Sequence, residues 1–284
     1  MWAVSLVHTD DSLRWQRRLA LVSSHEVSIV STGLKYLCER GRFMRVGDEL
    51  ASLPPGLVLL GGSSFHHLAA HLIRQHTAKA LRLVVFDQHA DLYQAPPGHV
   101  SCGSWLWEVL ELPEVEQVLL IGPEPEALSC KEDLPQKVIC APLPAARQEL
   151  ARLCSSSARI YVSLDKDVLA EAGTDWGTGR LSLRTLLTLL GELRRQGRLV
   201  GADICGEMVP RNLWPTAAEL AQIRHNEDIN LSVCRALSAV ARVRSACRGR
   251  LKTVSAQGAV ASWAAGMLEG GGTTRIFCPV SRPA

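Results

Sequence analysis

The sequence predicts an α/β fold in which a mainly parallel central sheet is covered by helices on both sides. Two observations predict this class. Short segments rich in Val, Ile and Leu recur along the chain, and most of them are separated by segments with the apolar spacing of helices. Strands that are apolar on both faces and alternate with helices are typical of parallel sheets buried between helical layers.

The predicted elements alternate in chain order. Residues 1–8 form a first strand that runs into the polar Thr9-Asp10-Asp11. Later strands are predicted at residues 56–60, 81–87, 117–121, 137–141, 160–165 and 199–203, and helices at residues 65–74, 103–111, 145–153 and 182–195. A last long helix begins at Thr216-Ala217-Ala218-Glu219, a capping-box pattern, and its periodic apolar positions run to about Val243.

Length and patterning indicate one domain rather than two. The chain has 284 residues, of which 47% are hydrophobic and 21% charged, so a sizeable core is available. No internal repeat or low-complexity linker divides it. We therefore predict a single domain over residues 1–284, with a loosely structured tail at about residues 247–284 that contains Gly270-Gly271-Gly272.

Charge and hydropathy argue against several classes of partner. The 31 Lys and Arg residues nearly balance 28 Asp and Glu residues, so we expect no broad field that attracts nucleic acid or an anionic membrane. No uninterrupted apolar run approaches the roughly 20 residues that span a bilayer. The nine cysteines are an odd number without a repeated Cys-x-x-Cys, and the first residues lack the pattern of a secretory signal. We therefore expect a cytoplasmic protein.

Metal-ligand side chains follow two of the predicted strands. Asp87, His89 and Asp91 alternate where one strand ends, and Asp165 and Asp167 follow another. Alternate residues of an extended segment share one face, and parallel sheets bind ligands beyond their carboxyl ends. Carboxylates with imidazole suit manganese, iron or zinc better than calcium, and two such ions roughly 3.5 to 4 Å apart can share carboxylates. Each Asp taken alone is equally consistent with a turn or a helix cap.

Other side chains near these clusters have open assignments. Lys166 lies between the two later aspartates, and alternation points its side chain to the opposite face, where it would be an ion-pair partner. A further imidazole is expected from the strand end before residue 65, for which His66, His67 and His71 compete. His67 and His71 are also four residues apart, so a separate helical zinc site is the alternative.

In this order, the motifs resemble the arginase and agmatinase family, the manganese-dependent ureohydrolases. That family has a Gly-Gly-Asp-His segment, then Asp-Ala-His-x-Asp, then Ser-x-Asp-x-Asp, and then Glu-Val-x-Pro. The matching segments here are residues 61–66, 87–91, 163–167 and 207–210, within a likeness that covers roughly residues 56–245. The resemblance implies a three-layer α/β/α fold and a dinuclear manganese site.

The resemblance also implies individual roles. One ion would be held by His66, Asp87, Asp91 and Asp165, and the other by His89, Asp87, Asp165 and Asp167, so that Asp87 and Asp165 bridge. Asp91 would orient the metal-bridging hydroxide and accept its proton. Glu207 would bind the guanidinium group of the substrate, as a carboxylate suits a planar cation.

Three departures from the family pattern bear on function. The first motif lacks the Asp before its His and contains two extra residues, so the choice of His66 over His67 depends on the following Leu68-Ala69. Ala170-Glu171 replaces a common Asp-Pro. Cys102 stands where many ureohydrolases have a proton-shuttling His, and either a reactive thiolate or a small buried residue fits it. His99 is a candidate to supply the missing imidazole.

Two aromatic residues, Trp105 and Trp176, either line the substrate pocket or anchor the core and a loop. The leading hypothesis is a dinuclear manganese hydrolase whose metal-bridging hydroxide attacks a guanidino, amidine or related small C–N substrate. Its rivals are a one-zinc amide hydrolase of the deacetylase type and a metal-binding protein without turnover. The family resemblance allows a homo-oligomer, and the sequence does not decide whether one forms.

Overall fold

The computed structural model describes residues 2–123, 134–196 and 198–237. Eight strands form one sheet in the order β2-β1-β4-β10-β9-β5-β7-β8, and every neighbouring pair is parallel. The strands of this sheet are β1 Ala3–His8, β2 His25–Ser28, β4 Gly56–Leu59, β5 Leu81–Phe86, β7 Val115–Ile121, β8 Val138–Ala141, β9 Arg159–Asp165 and β10 Leu199–Cys205. The predicted parallel sheet is confirmed.

Helices connect the strands and cover both faces of the sheet. They are α1 Arg17–Ala20, α2 Arg40–Leu50, α3 Ala69–Arg74, α4 Leu106–Leu110, α5 Ala146–Leu153, α6 Leu183–Arg195 and α7 Ala217–Leu237. At the start of α7 the capping box forms, because Thr216 N donates to Glu219 Oε2 at 2.8 Å and Glu219 N donates to Thr216 Oγ1 at 3.3 Å. Within the described residues, no helix is both long and apolar enough to cross a bilayer.

The apolar residues of the central strands divide between two cores. Val84 and Phe86 of β5 belong to one cluster with α5, α6 and α7, whereas Leu83 and Val85 belong to the other, with α2, α3 and α4. This division is the alternation of side chains across a strand. It explains why the central strands carry apolar residues on both faces, and it gives the three layers.

The predicted strands agree with the observed ones to within two residues at each end, but several short elements were not predicted. Strand β2 lies at the sheet edge and is polar, so it lacks the apolar signal. Strands β3 Leu37–Glu39 and β6 His99–Ser101 form a separate antiparallel pair of three residues each. Helix α2 carries buried Phe43, Val46 and Leu50 at helical spacing, a signal that was available in the sequence.

Two predicted helices differ in form. The segment predicted as a helix from residue 65 begins instead as a 3-10 helix, Ser63–Leu68, before α3, and the helix predicted at 103–111 is shortened to α4. The predicted tail at 247–284 and the end of the last helix lie outside the described residues, so the single-domain interpretation of the whole chain stays a prediction.

Sheet order is what brings the metal-ligand motifs together. Strands β4, β10, β9 and β5 are consecutive neighbours, and Phe86 pairs in register with Leu164, while Cys205 pairs with Asp165. Because all four strands are parallel, the segments that follow them emerge at the same edge of the sheet.

Candidate metal centre

One imidazole and three carboxylates converge at the carboxyl ends of these strands. His66 Nδ1 lies 3.2 Å from Asp87 Oδ2, 3.1 Å from Asp91 Oδ2 and 3.7 Å from Asp165 Oδ2. All four side chains are buried. The structure thus brings together the four residues that were expected to share one ion.

A second group lies beside the first. His89 Nδ1 lies 2.8 Å from Asp167 Oδ2 and 3.6 Å from Asp87 Oδ1. In the described part of the chain, the groups whose ligand atoms all lie within 4.8 Å of one another are His66 with Asp87 and Asp91, Asp87 with His89 and Asp167, and His66 with Asp165 and Cys205. Asp87 belongs to two of these groups, and His66 also belongs to two.

Several atoms of these groups are close together but are not aligned for hydrogen bonding. His66 Nδ1, Asp87 Oδ2 and Asp167 Oδ2 are buried and have no hydrogen-bond partner, although oppositely charged atoms lie within 4 Å of each. Buried polar atoms are normally satisfied, and exceptions call for an explanation. Lone pairs that converge on a common point explain them, so these residues fit a divalent cation.

Hydrogen bonds from neighbouring side chains orient two of the proposed ligands, His66 and Asp91. Ser163 Oγ donates to Asp203 Oδ1 at 2.8 Å and therefore accepts from His66 Nε2 at 2.9 Å, which turns His66 Nδ1 toward the carboxylates. Trp105 Nε1 donates to Asp91 Oδ2 at 2.6 Å, and Asp91 itself has a left-handed backbone with φ of 47°. A non-glycine residue in that conformation is often found at functional positions.

Backbone amides fix the remaining carboxylates. His89 N donates to Asp87 Oδ1 at 2.6 Å, and Gln88 N donates to Asp167 Oδ1 at 3.1 Å. Asp167 N and Ser63 Oγ both donate to Asp165 Oδ1, at 3.1 and 2.9 Å. Each carboxylate therefore has one anchored oxygen, and its second oxygen lies toward the centre of the cluster.

Burial and the concentration of negative charge raise the pKa values of several of these side chains. Burial, followed by the charges of Asp167 and Asp87, raises the pKa of Asp165 to about 7. The carboxylates of Asp167 and Asp87 raise the pKa of His89 to about 11. Burial acts to lower the pKa of His66, but the neighbouring Cys205, Asp87 and Asp91 raise it well above its usual value. The side chains by themselves therefore hold protons, which a bound cation would displace.

His67 and His71 do not join the carboxylates. Both lie on the side of Phe43, with ring centroids 6.1 and 4.0 Å from its ring. Burial lowers the pKa of His67 to about 3 and that of His71 to about 4, so both are neutral core residues at neutral pH. The structure brings His66 to the carboxylates and gives no third ligand to a His67/His71 zinc site among the described residues.

A cavity of about 160 Å³ opens above the carboxylates. His66, Asp87, His89, Asp91 and Asp165 lie at its base, and Ser63, Tyr93, Cys102, Gly103 and Trp176 complete its lining. The Trp176 ring meets His89 edge to face, with centroids 5.6 Å apart. Of the two tryptophans considered in the sequence, Trp176 lines the cavity, whereas Trp105 is fully buried and supports Asp91.

Glu207 is not placed where the family resemblance implied. Its carboxylate is buried and is paired with the equally buried Lys166. Asn230 Nδ2 donates to Oε1 at 2.6 Å, and Gln16 Nε2 donates to Oε2 at 2.7 Å. This polar network satisfies both oxygens, and Glu207 is not among the residues that line the cavity. Lys166 does face away from the carboxylate cluster, as strand alternation indicated.

The two candidates for proton transfer occupy different places. Cys102 lines the cavity, while His99 lies in β6, with its Nδ1 3.0 Å from the carbonyl oxygen of Pro97, and does not line it. The helix after Cys102 begins only at Leu106. Burial and the nearby charge of Asp91 raise the pKa of Cys102 to about 12, so the thiol is neutral. The structure therefore does not support the dipole-stabilised thiolate, and it does not bring His99 to the cluster.

Two features of the centre were missed in the sequence. Cys205 ends β10 beside Asp165, and the register of two strands that are 40 residues apart decides this contact. The Asp203–Ser163 support of His66 depends on the same pairing. The Ser-Leu-Asp and Asp-Ile-Cys segments were visible as strand ends, but their adjacency was not.

Comparison with known proteins gives a consistent set of relatives. The model of the arginase family matches residues 24–221. An uncharacterized protein of Thermotoga maritima is 30% identical over 226 residues, which are 78% of this chain and 84% of that protein.

Solved structures show the same fold. Formimidoylglutamase from Bacillus subtilis superposes with a TM-score of 0.59 at 16% identity, covering 83% of this chain and 86% of that one. A hypothetical agmatinase from Burkholderia thailandensis gives 0.57 at 18% identity, with 82% and 85% covered, and arginase from Bacillus cereus gives 0.56 at 18%, with 82% and 97% covered. At these identities the likeness concerns the fold.

Proposed function

The chain belongs to the arginase family, and on that premise we propose that it is a dinuclear metal hydrolase that cleaves a non-peptide C–N bond in a small guanidino, amidine or related substrate. The observation that carries the proposal is the pair of ligand groups that share Asp87. A single structural ion would need only one of them.

The contacts support His66, Asp87 and Asp91 for one ion and Asp87, His89 and Asp167 for the other, and the bridging role of Asp165 is carried over from the family resemblance. His66, Asp87, Asp91 and Asp165 would hold one ion, and His89, Asp167 and the two bridging carboxylates of Asp87 and Asp165 would hold the other. The free second oxygen of Asp87, Oδ2, lies toward His66, and Oδ1 lies toward His89, which supports a bridging role. Carboxylates and imidazoles in this proportion suit Mn²⁺. When bound, such a pair of ions lowers the pKa of a shared water and supplies a hydrolytic nucleophile at neutral pH.

The cavity supports a cationic, planar substrate head. Its base carries the buried carboxylates, and its walls present the rings of Tyr93 and Trp176. Aromatic faces attract guanidinium and ammonium groups, and a carboxylate floor attracts the same charge. Glu207 has no part in this proposal, because its oxygens are already satisfied.

Two residues are proposed for proton handling. Asp91 Oδ2 lies at the base of the cavity, where a carboxylate can orient a nucleophile and take its proton. Cys102 is the side chain on the cavity wall that stands where the family has a histidine. As a neutral thiol it can donate a proton to the departing amine and then take one back from solvent.

The proposal is tested by following urea and ammonia release from arginine, agmatine, guanidinobutyrate, formiminoglutamate and guanidine, with metal-loaded protein. We expect turnover of at least one substrate, and a loss of about 100-fold or more in Asp91→Asn, since general-base groups contribute about 10²–10⁴-fold. Asp11→Asn changes an exposed carboxylate and serves as the control.

Three other outcomes contradict the proposal. Fully loaded protein that is inactive on all five substrates supports a metal-binding protein without turnover. One zinc per chain with amide cleavage supports the deacetylase-like alternative. Full activity in Asp91→Asn rejects the assignment of that residue.

A further inference from the structure

Cys205 lies against the metal centre from within the sheet. It is the last residue of β10, is fully buried, and pairs in register with Asp165 of β9. Its Sγ lies 3.3 Å from Asp165 Oδ2. The thiol therefore touches one of the proposed metal ligands, while Cys205 is not among the residues that line the cavity.

The same thiol also lies close to the His66 ring. A ring nitrogen of His66, a carboxylate oxygen of Asp165 and Cys205 Sγ all lie within 4.8 Å of one another, and His66 Nδ1, 3.7 Å from Asp165 Oδ2, is buried without a hydrogen-bond partner. Zinc holds sulfur at about 2.3 Å and nitrogen or oxygen at about 2.0–2.2 Å, so ligand atoms of one tetrahedral ion are roughly 3.5 Å apart. Side-chain adjustments of about an ångström would bring these three atoms onto one ion.

Backbone geometry accounts for the close approach of the thiol. Gly206, directly after Cys205, has φ of +91°, and a Cβ on it would lie 2.5 Å from Asp165 Oδ1. Only glycine allows the end of β10 to turn this close to Asp165.

We propose that Cys205 is a thiolate ligand of the ion held by His66 and Asp165, so that the two metal positions differ in chemical preference. The position at His66 takes a borderline-soft ion, Zn²⁺, Co²⁺ or Fe²⁺, because it includes sulfur. The position at His89 has only carboxylates and imidazole and takes Mn²⁺. On binding, a metal–sulfur bond replaces the S–H bond, and the proton leaves to solvent. This inference rests on the dinuclear site of the proposed function.

Cys102 provides an internal comparison. It lines the cavity on the other side of the carboxylates, and it belongs to none of the close ligand groups found among the described residues. Cys38, in β3, is a buried cysteine remote from these groups and serves as a control for loss of a buried thiol.

The test is the near-ultraviolet absorption of protein loaded with Co²⁺, in which a cobalt–thiolate bond gives a charge-transfer band. We expect the band in the wild-type chain, in Cys38→Ala and in Cys102→Ala, and we expect it to be absent from Cys205→Ala. Circular dichroism and the number of bound ions show whether each variant folds and retains its second ion. A band that persists in Cys205→Ala, or that disappears only in Cys102→Ala, overturns the assignment.

Competition between Zn²⁺ and Mn²⁺ gives a second readout that does not depend on activity. Loss of an outer-shell partner costs about 10–100-fold in metal affinity, and loss of a ligand should cost at least the upper value, so we expect Cys205→Ala to weaken Zn²⁺ binding by about 100-fold or more with Mn²⁺ binding little changed. Equal weakening of both ions, or of neither, contradicts the inference.

These outcomes are separable from failure of the proposed function. Wild-type protein that binds two ions but gives no thiolate band rejects only the role of Cys205. Wild-type protein that binds no ion or a single ion rejects the dinuclear site itself.

Discussion

At the scale of single residues, Asp87 connects the two ligand groups. Its Oδ2 lies 3.2 Å from His66 Nδ1, and its Oδ1 lies 3.6 Å from His89 Nδ1 and accepts from His89 N. The carboxylate is almost fully buried, so few other partners compete for it. The position of this one side chain therefore determines how far apart the two proposed metal positions lie.

Glu207 matches the family motif, but its contacts in the structure differ from the substrate-binding role that the resemblance implies. The segment Glu-Met-Val-Pro fits the family pattern, but this carboxylate is paired with Lys166 inside a polar network that includes Gln16, Asn226 and Asn230. A buried ion pair with its remaining atoms hydrogen-bonded is costly to break from one side, since the other charge is left unpaired.

Replacing Glu207 by Gln is therefore expected to destabilise the protein by about 3–5 kcal/mol, because Lys166 loses its counter-charge in a dry environment. Urea denaturation of the metal-free protein measures this change. The matched control is Glu116→Gln, which breaks the exposed pair with Arg82 and should cost less than about 1 kcal/mol. If Glu207→Gln leaves stability intact and only raises KM, the carboxylate binds substrate after all.

At the scale of elements, the metal centre depends on four adjacent parallel strands. The ends of β4, β10, β9 and β5 supply the His66 segment, Cys205, the Asp165 pair and the Asp87 segment. The short 3-10 helix Ser63–Leu68 then turns His66 toward the carboxylates, while His67 points into the core beside Phe43. The segments after these strands can bring their ligands together because the strands that precede them are paired in register.

Gly206 lies where the end of β10 approaches the proposed metal ligand Asp165 most closely. Gly206→Ala adds a Cβ 2.5 Å from Asp165 Oδ1 in a backbone with φ of +91°, and we expect a loss of about 1–3 kcal/mol together with weaker metal binding. Gly191→Ala is the control, because Gly191 lies inside α6 with only Arg195 Nη1, at 3.8 Å, near the added Cβ. That change should stabilise the protein by about 0.5–1 kcal/mol.

Thermal unfolding and metal titration of both glycine variants check this prediction. A Gly206→Ala variant that matches the wild type in stability and in metal affinity would show that the close approach of β10 to Asp165 is not needed. A destabilised Gly191→Ala variant would mean that the comparison does not isolate the strand end.

At the scale of the whole molecule, much of the fold could be predicted from the sequence. Strands such as Leu81–Phe86 carry apolar residues on both faces, with Arg82 as the one polar position of this strand, because both faces are covered, and that pattern is local. The polar edge strand His25–Ser28 is stabilised by pairing with β1, which no local pattern reveals.

The residues of the candidate site likewise include some that a local sequence pattern predicts and others whose contacts depend on strand pairing. Asp87, His89, Asp91, Asp165 and Asp167 were predictable, because alternation along a strand end is local information. The contacts of Cys205 with Asp165, and of Glu207 with Lys166, depend on which strands become neighbours. The choice between His66 and His67 depends on a 3-10 turn that propensity does not specify.

The excess of buried negative charge predicts a pH-dependent stability for the chelated, metal-free protein. The pKa of Asp165 is raised to about 7 and that of His89 to about 11, so the folded state holds protons that the unfolded state releases. As the pH rises from about 4 through 7 and further on the alkaline side, Asp165 and His89 should therefore lose their stabilising contribution, while the lowered pKa values of His67 and His71 act in the opposite direction over the acidic part of this range, with or without metal. A divalent cation takes the place of these protons, so the gain in Tm on adding Mn²⁺ should grow with pH.

Differential scanning calorimetry of the metal-free and the Mn²⁺-loaded protein between pH 5 and pH 8, roughly spanning the Asp165 shift, checks this expectation. Exposed carboxylates such as Asp11 are common to both preparations and cancel in the comparison. A gain in Tm on adding Mn²⁺ that stays constant or shrinks as the pH rises across this range would contradict the charge balance drawn from the buried cluster.

The central claim is that two divalent ions bind side by side and share Asp87. Elemental analysis of protein reconstituted with Mn²⁺ and Zn²⁺ together and freed of excess metal tests it most directly, with wild-type and Asp87→Ala chains prepared in parallel. We expect two ions in total per wild-type chain and at most one in Asp87→Ala. One ion or none in the wild type, or two retained in Asp87→Ala, would contradict it.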